Sequence, residues 1–92
     1  MGVVRNRVIA LVRDLIDGEI TERQFKQRVR DLDSNTEGAN WRTISLAAQV
    51  YMYDRFTGEE IYLIESLIIE LYSPQKMEQV WANGTVERVH EY

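Results

Sequence analysis

The sequence predicts an all-α protein, a single-domain bundle of four to five helices whose C-terminal tail could be helical or irregular. Three observations carry that reading. Apolar residues recur at three- and four-residue spacing through most of the chain, and no stretch alternates as a half-buried strand does. Two short segments, one at Thr21 and one at Thr57, hold the side chains of a helix capping box. The chain has 92 residues, and a second hydrophobic core would need roughly 50 or more of its own, so one domain is expected.

Residues 3 to 17 place Val4, Val8, Leu11, Val12 and Leu15 on one helical face, with Ile9 and Ile16 widening it and Arg5, Arg13 and Asp14 elsewhere. Gly18 supplies the left-handed residue that closes such a helix. In "DGEITERQF", residues 17 to 25, Thr21 is the next N-cap, Gln24 completes its capping box, and Ile20 and Phe25 form the hydrophobic staple. A second helix therefore starts at Glu22. Its stripe of Phe25, Val29 and Leu32 is thin, which predicts a surface helix with one edge tucked in. "DSNTEGAN", residues 33 to 40, is the only loop of any length.

Asn40 caps a third helix expected from Trp41 to about Phe56. Ile44, Ala47, Ala48 and Tyr51 make one apolar face and Leu46, Val50 and Tyr53 another, which predicts a largely buried helix. Thr57 and Glu60 then form the second capping box. The helix that follows carries Ile61, Leu63, Ile64, Leu67, Ile68, Ile69 and Leu71 around most of its girth and is expected at the centre of the core. Pro74 disfavours helix at Ser73 and ends it near Tyr72. Ser73 and Pro74 can start a short fifth helix with Met77, Val80 and Trp81 on one edge and Asn83-Gly84 as its stop. For "TVERVHEY" the spacing of Val86 and Val89 permits a helical turn without deciding it.

Composition narrows the jobs such a bundle can hold. With 45% apolar and 28% charged residues the chain belongs to the globular range, so it is expected to fold. A domain of this size buries roughly 60 to 65% of its unfolded surface, which favours a binding face over a deep catalytic pocket. Cysteine is absent, excluding disulfides, thiolate metal sites and cysteine nucleophiles. Arg5, Arg7 and Arg13 interrupt every N-terminal apolar run short of the roughly 18 residues a membrane span requires, so neither a signal peptide nor a membrane partner is expected, and a cytoplasmic location is. His90, the single histidine, supports neither a paired-histidine metal site nor a serine triad, and the scattered glycines form no phosphate loop. The expectation is a protein without enzymatic activity, metal or other cofactor.

Charge is distributed unevenly. Residues 1 to 30 carry seven basic and four acidic side chains, and residues 31 to 92 carry four and eleven. A basic end and an acidic body result, which favours a basic protein partner over a nucleic-acid backbone. Asp54, Glu59, Glu60 and Glu65 are the candidate acidic contact residues, against the plainer reading that they solvate an apolar helix. Steps of five residues along Glu60, Glu65 and Glu70 rotate by roughly 140° beyond a full turn, so these acids do not converge as a catalytic pair. The rival candidate is nucleic-acid binding through Arg23, Lys26 and Arg30 on the second helix, as in a helix-turn-helix, although any solvated helical hairpin shares that pattern. Tyr51, Tyr53, Tyr62, Tyr72, Trp41 and Trp81 are mostly expected in the core with polar tips outward, and one or two exposed at a surface would serve as interface anchors.

The hairpin "LIDGEITERQFKQRVRDL" resembles the opening of small helical bacterial immunity proteins of the colicin D type, through Leu15, Gly18, Ile20, Thr21 and Phe25. That resemblance implies an all-helical, non-enzymatic, cytoplasmic protein that blocks a basic tRNA-cleaving toxin domain with an acidic surface standing in for RNA phosphates. The acidic balance of residues 31 to 92 agrees with such a mode. No toxin-contacting position of the family maps onto this chain, and the segment "SPQKMEQVWANGTVERVHEY" departs from the family pattern. The expected function is thus a small protein-binding module, in its sharpest form an immunity-type inhibitor that masks a basic toxin or nuclease. The alternatives are a small nucleic-acid-binding regulator and a subunit or adaptor of a larger assembly, for example a phage one.

Overall fold

Residues 2–72 are described by the computed structural model and form four helices: α1 (Val3–Ile16), α2 (Glu22–Asn35), α3 (Trp41–Met52) and α4 (Gly58–Leu71). The expected fifth helix, the ambiguous tail and His90 lie outside the described residues. The all-α class holds, and no strand occurs among the described residues.

Local chemistry sets the helix ends. Gly18, at φ 79°, closes α1: its N–H donates to the Leu15 carbonyl at 3.1 Å and the Glu19 N–H donates to the Asp14 carbonyl at 2.8 Å, the paired bonds of a Schellman stop. Both expected capping boxes form. The Thr21 hydroxyl accepts from the Gln24 N–H at 3.0 Å while Gln24 Oε1 accepts from the Thr21 N–H at 2.9 Å. Thr57 and Glu60 repeat the arrangement at 3.2 and 3.0 Å. At α3, Asn40 Oδ1 accepts from the Arg42 and Thr43 N–H groups, and the Thr43 hydroxyl accepts from the Asn40 N–H, closing a third box.

The four helices contribute a common core. Val8, Val12 and Leu15 from α1 meet Phe25, Val29 and Leu32 from α2, Ile44, Ala48 and Met52 from α3, and Ile61, Ile64, Leu67 and Ile68 from α4, with Ile20 sealing the first turn. Packing is closest along α1 and α3, then α1 and α2, and α2 touches α4 and α3 as well. Full burial of one such side chain stabilises the fold by about 1.5–3 kcal/mol. At its far end α2 is tied to α4, because the Tyr72 hydroxyl donates to Asp33 Oδ2 at 2.6 Å.

Three expectations need correction. First, α2 runs on to Asn35, whose amide donates to the Asp31 carbonyl at 2.9 Å, so the loop shortens to residues 36–40 and turns at Gly38, φ 86°. Second, α3 stops at Met52 rather than near Phe56: beyond Tyr53 the regular ladder gives way to a turn in which the Arg55 N–H donates to the Met52 carbonyl, three residues back, at 3.0 Å. Third, α3 is not largely buried: its face of Ile44, Ala48 and Met52 enters the core while its second apolar face points outward. The thin stripe of α2 is buried as expected, Phe25, Val29 and Leu32 forming its one inward edge, and the helix contacts all three others.

Candidate interaction surface

The outward face of α3 is the most distinctive surface in the described residues. Leu46, Val50 and Tyr53 recur at four and three residues, one helical stripe, and are exposed by 41%, 69% and 61%. On α4, Tyr62 is exposed by 49% and sits one turn after Glu59. Scattered exposed apolar residues are ordinary; here three large ones share a single face of one helix. Tyr51 packs edge-on against Phe56 with ring centroids 5.7 Å apart, and Arg55 covers the Tyr51 ring at 4.8 Å while donating to the Tyr51 carbonyl at 3.1 Å. Arg42 lies over the Trp41 ring at 5.1 Å at the opposite end of the helix.

The acidic candidates do not form one group. Asp54, in the turn leaving α3, and Glu59, in the first turn of α4, are exposed, and neither has an ion-pair partner among the described residues. Glu60 is half-buried and committed to the Thr57 backbone as part of the cap. Glu65 is 2% exposed, on the same face as Ile61, Ile64 and Ile68, so it cannot present its charge to a partner. Its place follows from helical period, since positions 61, 65 and 68 share one side.

The basic candidates divide as well. Arg23 and Arg30 are exposed on the side of α2 away from the core. Lys26 turns instead toward α4, where its Nζ lies 3.0 Å from Glu70 Oε1. A half-exposed pair of this kind contributes up to about 1 kcal/mol and takes Lys26 out of a continuous cationic stripe. Of the aromatics, Tyr53 and Tyr62 are the exposed ones, and Trp41, Tyr51 and Tyr72 are half-buried.

Among the described residues no three His, Cys, Asp or Glu side chains come together as a metal-binding set, and no helix is long and apolar enough to cross a membrane. Compared with known proteins, the chain matches no family model, and no curated protein or solved structure is significantly similar to it. What the arrangement offers chemically is an exposed apolar and aromatic stripe on α3 and, separately, two exposed carboxylates, Asp54 and Glu59, without an ion-pair partner among the described residues.

Proposed function

We propose that this chain is a non-enzymatic protein-binding module whose partner docks on the outward stripe of α3, with Asp54 and Glu59 at the rim. The observation that carries the reading is the in-register exposure of Leu46, Val50 and Tyr53. Tyrosine and aliphatic groups at the centre of an interface, ringed by polar residues, are where binding energy concentrates. The two free carboxylates favour a partner with cations around an apolar patch. Its sharpest form is an inhibitor that covers the basic face of a toxin or nuclease, as the resemblance of the first hairpin suggests.

Affinity capture from cells that make the protein tests this. Immobilised wild-type chain is expected to retain a stoichiometric protein partner, and Val50→Asp, checked for native helicity by circular dichroism, is expected to lose it by at least about tenfold in affinity. Capture unaffected by Val50→Asp, or no partner retained by the wild type, would overturn the assignment.

A further inference from the structure

A second surface, independent of α3, lies between α1 and α2. A groove of about 360 Å³ is lined by Ala10 and Leu11 from α1 and Leu32 from α2, which form its apolar part. One arginine rises on each wall, Arg7 from α1 and Arg28 from α2. Neither has a hydrogen-bond or ion-pair partner among the described residues. Two unneutralised guanidiniums across an apolar floor attract an anion that brings an apolar group with it.

We propose that this groove binds an acidic, apolar peptide segment of another protein, one carboxylate engaging Arg7 and Arg28 while a neighbouring aliphatic or aromatic side chain seats on Leu11 and Leu32. Openness decides between a peptide and a small molecule. The groove is open to solvent, whereas a small ligand needs most of its surface enclosed; a side chain delivered on a longer segment needs only its own face covered. Nucleic acid fits less well for two reasons. The lining holds no aromatic ring on which a base could stack. Asp31 also stands on the α2 wall, its carboxylate held by the Gln27 amide at 3.0 Å, and a phosphate backbone would have to run past it.

The test is selection from a displayed library of short random peptides on the full chain. Enriched peptides are expected to pair Asp or Glu with Leu, Ile, Met or Phe, and to bind more weakly as salt rises. Their affinity should fall at least about tenfold for Arg7→Glu and for Arg28→Glu, both exposed substitutions, and equally for Ala10→Phe, which fills the floor without changing charge. Val50→Asp should leave it unchanged, which keeps this outcome separate from that of the α3 surface. Failure to enrich any peptide, enriched peptides without acids, or indifference to the arginine variants would each overturn the proposal. So would a gel shift in which single-stranded RNA binds through the same two arginines.

Discussion

Tyr72 illustrates how a single hydroxyl can fasten one helix to another. Burial, and then the hydrogen bond to Asp33 and the nearness of its charge, raise the Tyr72 pKa well above its ordinary 10.0. The proton is thus held more tightly in the folded chain than in the unfolded one. Its contribution to stability is complete below about pH 10, where both states keep the proton, and drains away above it as the unfolded state ionises first. Tyr72→Phe is expected to cost about 1 kcal/mol at neutral pH and to flatten the alkaline loss of stability, read from urea midpoints between neutral pH and about pH 11. Parallel slopes for the two proteins would show that the hydroxyl does not hold this linkage. Glu65 teaches a different lesson at this scale. Its letter reads as a surface acid, but the positions of Ile61, Ile64 and Ile68 around it determine its burial, so helical period was the better guide than residue type.

Helix ends were legible because their chemistry is local. Thr21 with Gln24 and Thr57 with Glu60 need only three residues of context, and both boxes form as their spacing implies. Gly18 is legible for the same reason, and its role can be isolated. A Cβ built at Gly18 meets nothing within 4 Å, so the penalty of Gly18→Ala comes from backbone conformation alone. An alanine held at φ 79° should destabilise the protein by about 1–2 kcal/mol, measured by chemical denaturation, with the α1–α2 packing unchanged. A neutral effect would mean that the Schellman stop can rearrange. What the sequence left open at this scale was which apolar face a neighbour covers. Two faces of α3 are apolar, and periodicity identifies both without saying that α1 packs on one and leaves Leu46, Val50 and Tyr53 outside. Arg28 belonged to the basic set read on the second helix, but its place across a groove from Arg7 was not legible, although Arg7 precedes Leu11, and Arg28 precedes Leu32, by the four residues that stack side chains along a helix.

For the whole molecule, the asymmetry of charge was readable from the chain, but the residues able to express it were not. Of four acids expected at a partner surface, Glu65 is buried and Glu60 serves the cap, which leaves Asp54 and Glu59 as the exposed acids of that set. At physiological salt the Debye length is about 8 Å, so the field of exposed charges is felt as local patches. Steering by such patches changes how fast partners meet more than how long they stay together. Asp54→Lys with Glu59→Lys is therefore expected to slow association with the captured partner at low ionic strength, to leave dissociation nearly unchanged, and to lose its effect as salt approaches about 1 M, where the Debye length is about 3 Å. Val50→Asp should do the reverse and mainly hasten dissociation. The Glu59 change also removes a favourable charge from the first turn of α4, costing about 0.3–1 kcal/mol of fold stability, so helicity and urea midpoint must be measured alongside. Association at wild-type speed in low salt, with the fold intact, would mean that the acids merely solvate the surface and that the apolar stripe acts alone.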